Sequence, residues 1–329
     1  MKTLIIAPVI YPVHPDNRYA GIEKLCGMWA AGLNALGHQV AVASTVGSAF
    51  PRGIRQIPVQ PGDFVQGELV AYYVYRPEIR SFDAILDFSH SHIAMREMDL
   101  PAVSWVWHDP KVMQPPQPAY NVCALSRWQA ERLLLYQRVN ARVFDCHCGF
   151  PVNSDTISDH FVFIGQATPT KGLLQAVELC RELGVPLDAI GAVRKGDEAY
   201  FEQCKAAAGP LTELWGEVSE PVKISLLARA KGHIFPIQYE EAHSHKTVDT
   251  LLSGVPTIAY NRGALPEVVE HGIDGFLVNT REEFKDAMLH VDLLDRAKIR
   301  ERATARWSVP NVVERAVDLM KEVAAGRRW

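Results

Sequence analysis

The chain has 329 residues, too many for one comfortable core, and the length implies two domains. A formal net charge of −4 argues against nucleic acid as a main partner, because phosphate backbones are held by basic surfaces, but it leaves room for a local basic pocket that takes one diphosphate. Six cysteines without a CxxC pair fit reduced thiols in the cytoplasm, and no apolar run approaches the roughly 20 residues that cross a bilayer.

The first twelve residues carry one lysine and a short apolar stretch, with no small-residue cleavage site after it, so they read as a strand rather than a signal peptide. A strand over 3–7 is followed by a helix from Gly21, with Ile22, Leu25, Cys26, Trp29, Leu33 and Leu36 at helical spacing and Gly37 at its cap. The next strand is 39–44. Strand, helix, strand in this order is a right-handed parallel unit. The 8–20 connection is long for such a unit, whose loops hold about 2–6 residues, and long loops there are usually functional. Further strands are predicted at 69–74, 84–88, 102–106 and 121–124, with a helix over 127–136. That helix carries Leu133, Leu134 and Leu135 among arginines. It reads as a core-facing helix, with weak association with a membrane surface as the second reading.

The pattern then restarts: strand 161–165, helix 172–183, strand 186–190, helix 222–230, strand 232–237, helix 246–252, strand 256–260. Residues 149–159, rich in Pro, Asn, Ser and Asp, read as the junction. The expected fold class is α/β: two Rossmann-like domains with parallel sheets facing across a cleft, over 1–150 and 151–306, with a final helix over 307–329 packing back on the first.

The stretch from Tyr239 to Val278 carries most of the chemistry. A strand ends near Ile237, a turn holds Glu240 and Glu241, and a helix opens near Ser244. Free backbone N–H groups and the helix dipole at such a start suit a phosphate. Asp249, one turn on, can accept from a ribose hydroxyl.

This stretch resembles the family-4 glycosyltransferases of the GT-B fold. The match runs through Glu241, seven residues, Asp249, then Gly254-Val255-Pro256, then Gly263 to Val269 as G-x-x-P-E-x-V, then Gly272-x-x-Gly275. Other landmarks fall in order: Tyr19-Ala20-Gly21-Ile22-Glu23 resembles the glycine loop, and Gly37-His38-Gln39-Val40 follows it. Ser126 with Gln129 to Leu133 comes next. Phe163-Ile164-Gly165 with Lys171-Gly172 opens the second domain, and Trp307-Ser308 opens the tail helix.

The resemblance implies a retaining transferase that moves a sugar from a nucleotide diphosphate donor, with UDP favoured, onto an acceptor hydroxyl. Retention is explained by attack on the leaving-group face, with a leaving phosphate oxygen taking the acceptor proton. It implies that Lys171 contacts the diphosphate, Glu241 the sugar hydroxyls and Asp249 the ribose. Gly21 would let backbone approach the phosphates, and Gly263, Leu265 and Glu267 would line the donor pocket. No cofactor or metal is expected, and the sequence holds no D-x-D motif. The acceptor would be a small molecule, a glycan or a lipid-linked sugar.

Three departures stand out. Gln166 replaces the family's diphosphate arginine, and Arg194 or Lys195 could supply the charge; a solvated cluster is an equal reading of that pair. The second acid is Asp249 rather than Glu. The turn after Glu241 is Ala242-His243-Ser244 rather than Gly-Phe-Gly, which makes His243 a candidate donor or acceptor contact. The family's first-domain histidine has its ungapped position at Phe88, which leaves His90 as the preferred candidate, His92 as the second and His108 beyond. The His-Ser-His triplets at His90 and His243 lack the third and fourth ligands of a metal site, and Cys146-His147-Cys148 reads as buried thiols. Alternatives are another GT-B enzyme, a phosphorylase or sugar-nucleotide epimerase, and a sugar-nucleotide-binding protein without turnover.

Overall fold

The computed structural model describes residues 1–14, 21–97, 99–111, 118–154 and 156–329. The chain divides into two units, Met1–Cys148 with Val309–Trp329, and Gly149–Ser308.

The first unit opens with β1 (Lys2–Ile6), α1 (Gly21–Ala35), β2 (Gln39–Thr45), β3 (Arg55–Val59) and α2 (Gln66–Tyr75). It continues with β4 (Ala84–Asp87), β5 (Ala102–Trp105), β6 (Val122–Ala124), α3 (Arg127–Gln137) and β7 (Arg142–Val143). The second unit runs β8 (Phe161–Ile164), α4 (Leu173–Leu183), β9 (Leu187–Ile190), α5 (Glu198–Ala207), β10 (Thr212–Gly216), α6 (Glu220–Arg229) and β11 (Gly232–Phe235). It ends with α7 (His245–Leu252), β12 (Thr257–Tyr260), α8 (Leu265–Val268), β13 (Gly275–Val278), α9 (Arg281–His290) and α10 (Arg296–Trp307). The last helix, α11 (Val309–Ala324), belongs to the first unit.

Both sheets are parallel: seven strands in the order β3-β2-β1-β4-β5-β6-β7 and six in the order β10-β9-β8-β11-β12-β13. Strands buried on both faces explain the unbroken apolar runs in β1, β2 and β8. In the first unit, Trp29 and Leu33 of α1 and Val312, Val313 and Met320 of α11 share one core. The side of α11 that carries these residues is the apolar stripe its sequence spells out.

Residues 69–74, predicted as a strand, lie inside α2. Asp63 accepts from the N–H groups of Val65, Gln66 and Gly67 at 2.8, 2.7 and 3.3 Å and so opens a helix. Glu68, Ala71, Tyr72 and Tyr75 are its buried positions, a helical period that the Val- and Tyr-rich composition hides. Strand β3, not predicted, contains Pro58, and it is an edge strand, where a missing N–H is tolerated. Helix α3 faces the core through Leu133, as read, while Leu134 and Leu135 are exposed on its other side. Cys146 and Cys148 are buried free thiols, as read. No helix among the described residues is long and apolar enough to cross a membrane.

Helix α9 opens on a reciprocal cap. The Thr280 hydroxyl accepts from the Glu283 N–H at 3.1 Å, and the Glu283 carboxylate accepts from the Asn279 N–H at 2.7 Å. Thr280→Ala is expected to destabilise the second unit by about 1 kcal/mol, seen as a lower denaturation midpoint at constant m. An unmoved midpoint would mean that this cap contributes nothing.

Candidate functional site

In each sheet the strand order reverses at one place, between β8 and β11 in the second unit and between β1 and β4 in the first. Loops leaving the carboxyl ends of two such neighbours diverge, and the crevice they leave is where open α/β sheets take ligands. The residues that bear on such a crevice are therefore those on these loops.

In the second unit the loop after β8 carries Gln166 and ends in a short 3-10 turn at Lys171. Gly172 follows at φ +81°, and a Cβ there would lie 2.1 Å from the Pro236 carbonyl oxygen. The two loops thus touch backbone to backbone, which no other residue permits. That contact fixes Lys171 against the loop after β11. The Lys171 ammonium lies 2.8 Å from Glu241 Oε2, the Tyr239 hydroxyl donates to the same oxygen at 2.6 Å, and Lys171 also bonds to that hydroxyl. Both charged side chains are largely covered, 17% and 14% exposed.

Beyond Glu241 the chain turns into α7. Ser244 is its cap, accepting from the Thr247 N–H at 3.3 Å and the Thr247 hydroxyl at 2.8 Å, so its own oxygen is occupied. The N–H groups of His245 and Lys246 are left at the helix start. Asp249 accepts from Lys223 Nζ at 3.0 Å, and His245 Nε2 lies 3.7 Å from its other oxygen. Lys223 also pairs with Glu220 at 2.7 Å. Burial opposes its charge, but Asp249 and Glu220 together hold the ammonium above the ordinary lysine range.

Gly263 sits at φ +58° and its N–H donates to Glu240 Oε2 at 2.6 Å, while the Ala264 N–H donates to the Glu241 carbonyl at 2.7 Å. Glu240, though exposed, therefore anchors the neighbouring loop rather than standing idle. Leu265 is a core residue packed with Phe235, Ile237 and Ala259, so only its backbone could face a ligand. Glu267 is half-buried, and its carbonyl accepts from Arg306 at 2.6 Å. His243 is buried in the turn before α7. Arg194 and Lys195 are exposed after β9; the Arg194 charge is felt at Lys246, while no ion pair or hydrogen bond joins Lys195 to the group.

In the first unit Gly21 is the first residue of α1, and no atom of the described residues beyond its own chain neighbours lies within 4 Å of where a Cβ would stand. Tyr19 and Ala20, the start of the predicted glycine loop, lie outside the described residues. Phe88 is in the core, stacked on Trp105 at 4.9 Å, so the ungapped histidine position is an aromatic packing residue. After β4, Asp87 accepts from Ser89 N–H and Oγ at 2.9 and 2.5 Å and from Ala94 N–H at 2.9 Å. Glu68 of α2 accepts from the N–H groups of His90 and Ser91 at 2.9 and 2.7 Å. Burial pushes Asp87 up to about 6 and Glu68 to about 7 despite these bonds.

His90 Nδ1 lies 3.0 Å from His108 Nε2, with the rings stacked 5.0 Å apart. Burial, then the charges of His108 and His92, holds His90 down to about 3, and burial lowers His108, so both imidazoles are neutral and one donates to the other. His92 is separate: buried at φ +50° and bonded to Ser104 Oγ at 2.8 Å. Gln129 supports the arrangement by donating to the carbonyls of Val106 and His108 at 3.0 Å each.

Three residues escaped the sequence reading: Tyr239, Lys223 and Lys246. Tyr239 stands two residues before Glu241 and could have been picked out as a hydroxyl at a strand's carboxyl end. Lys223 lies on α6, and nothing local links it to Asp249. Lys246 is in the first turn of α7, where an amphipathic reading treats a lysine as solvated.

Residues 158–292 match the family model described as "Glycosyl transferases group 1". Sucrose synthase 2 of Pisum sativum is 32% identical over 72 residues, 22% of this chain, a match that spans only 9% of that protein's length. Among solved structures, AviGT4, a glycosyltransferase involved in avilamycin A biosynthesis, superposes with a TM-score of 0.79 at 21% identity, covering 100% of this chain and 99% of that one. Anabaena HepE in complex with UDP-glucose gives 0.73 at 14% identity, covering 98% and 100%. At these identities the solved structures establish the fold, two Rossmann-like domains of the GT-B type.

Proposed function

We propose that this chain, a glycosyltransferase of the GT-B fold with a group 1 domain over residues 158–292, takes a UDP-sugar and transfers the sugar with retention to an acceptor hydroxyl. The observation that carries the reading is the Lys171–Glu241 contact at the β8/β11 reversal, beside the start of α7. A diphosphate on Lys171 and the α7 N–H groups would leave its sugar beside Glu241 and its ribose beside Asp249. Support for UDP comes from the HepE structure, which holds UDP-glucose.

Charge develops on the departing diphosphate, and Lys171 with the helix start stabilises it. The bond from anomeric carbon to phosphate oxygen breaks, the acceptor oxygen bonds to that carbon from the same face, and the acceptor proton passes to the leaving phosphate oxygen. The residues in hand need no metal for this step. His90, kept neutral, offers a sugar hydroxyl an uncharged hydrogen-bond partner after β4. The acceptor is a small molecule, a glycan or a lipid-linked sugar, and the exposed Leu134, Leu135 and Tyr136 of α3, near Arg132 and Arg138, support weak contact with a membrane surface. Six free, buried thiols support a reducing, cytoplasmic setting.

A thermal-shift panel of UDP, GDP, ADP and their sugar conjugates, followed by donor hydrolysis, tests the reading. UDP and one UDP-sugar are expected to raise Tm, and the sugar to be released slowly without acceptor. No stabilisation by any nucleotide diphosphate would remove the transferase reading, and binding without turnover would make the chain a sensor.

A further inference from the structure

We propose that Lys246 is a direct ligand of the donor diphosphate and supplies the positive charge that Gln166 does not. The inference rests on the donor-site reading above and adds a residue to it. Lys246 lies in the first turn of α7, one residue past the helix start and three before Asp249, so it shares a face with that acid. Lys171, Glu241 and Lys223 all act on its charge: the first two form an ion pair at 2.8 Å, and the third pairs with Asp249 at 3.0 Å. Lys223 is also held by Glu220. Among the described residues no carboxylate pairs with Lys246 itself.

The charge balance decides its role. Two paired lysines face three carboxylates, Glu220, Glu241 and Asp249, so without Lys246 these pairs carry one negative charge in excess. A diphosphate diester brings two more. Such a site would repel its ligand, and the neutral Gln166 does nothing to correct it. Lys246 cancels that excess, so the diphosphate meets a neutral group instead of a negative one.

The price of keeping Lys246 there is visible in the empty site. Burial, and then Lys171, Lys223 and Arg194, pull its ammonium down to about 7, with Glu241 the opposing influence. His233 on β11 also faces it, held neutral by burial and by Lys246, and His243, His245 and Asp249 flank it on its own segment. An unsatisfied cation of this kind is explained by a ligand that brings the missing negative charge. When the diphosphate binds, Lys246 takes up a proton from solvent and stays charged.

Isothermal titration of the whole chain with UDP-glucose, whose diphosphate has no ionisation between pH 6 and 8.5, tests this on wild type, Lys246→Met and Lys246→Arg. Wild-type binding is expected to weaken about 10-fold from pH 6 to pH 8.5, since the empty-site lysine loses its proton over that range. Lys246→Met is expected to bind about 30-fold more weakly at pH 6, with the pH dependence gone, while Lys246→Arg keeps most of the affinity. With no ligand, Lys246→Met should melt about 3 °C higher, because it removes a half-buried charge that no carboxylate pairs. If Lys246→Met binds as wild type does and keeps the pH slope, Lys246 is not a diphosphate ligand, although the donor site stands. If wild type binds no nucleotide diphosphate, both readings fall.

Discussion

Lys171→Ala is expected to lower kcat for sugar transfer about 1,000-fold while lowering Tm by only a few degrees. The lysine is the one cation on the β8 loop that touches Glu241, and the proposed function puts the leaving diphosphate and the sugar hydroxyls at that contact. A charge-assisted bond to a leaving group is worth most in the transition state, when the phosphate oxygen takes on the electron pair. The stability cost is smaller because the pair is partly wet and because the Tyr239 hydroxyl still donates to Glu241 after the lysine is gone. A loss of about 1–2 kcal/mol covers one half-satisfied carboxylate. Steady-state kinetics with the donor varied, beside a melting curve, separates the two effects. A collapse of Tm with the residual fold lost would make Lys171 a structural residue. A kcat within tenfold of wild type would place the leaving group elsewhere.

Much of this arrangement was legible in the sequence because it follows from local patterns. Parallel strands buried on both faces write continuous apolar runs, and Phe161 to Ile164 could hardly be anything else. The helix starts at Gly21 and Ser244 carry their own signals, a permissive glycine and an N-cap serine. The spacing from Glu241 through Asp249 to Gly263 survives because all three sit on connections of one half-sheet, whose lengths the fold fixes.

What stayed hidden depends on partners distant in sequence. Lys223 and Asp249 are brought together by the packing of α6 beside α7, and no motif spans them. The His90–His108 pair needs β4 and β5 to be adjacent, and counting residues from β4 alone landed on Phe88, an aromatic packed on Trp105. His92, the second candidate by sequence, has a left-handed backbone and bonds to Ser104 instead of joining the His90–His108 pair. In α2, valines and tyrosines imitate a strand, and the helix is set instead by Asp63 and by a buried face that includes the Glu68 carboxylate. Lys246 was silent in the sequence for a related reason: the charges that act on it, Lys171, Lys223 and Glu241, lie on or beyond other elements.

Gly263→Ala is expected to destabilise the second unit by about 3 kcal/mol or more and to abolish donor binding with it. Two independent costs add at this position. The backbone is at φ +58°, where an alanine is disfavoured by about 1 kcal/mol. A Cβ would also stand 2.3 Å from the Glu241 carbonyl oxygen and 2.5 Å from its nitrogen, both backbone atoms that no rotamer change can move aside. Relief requires the Glu241 segment to shift, which breaks the Ala264 N–H bond to the Glu241 carbonyl and the Gly263 N–H bond to Glu240. Because Glu241 also holds Lys171, a shift of about 1 Å misplaces both groups, and a displacement of that size costs on the order of 100-fold in rate. Gly209→Ala makes the stability control in the same unit, since that position has no positive φ and a Cβ there would meet only the Arg181 side chain, at 3.5 Å, so its Tm should not move. Melting both variants with and without UDP-glucose reads out the comparison. Equal Tm values for the two would mean that the Gly263 loop is not braced on the Glu241 backbone, and the site would lose the rigid wall that holds its acid in place.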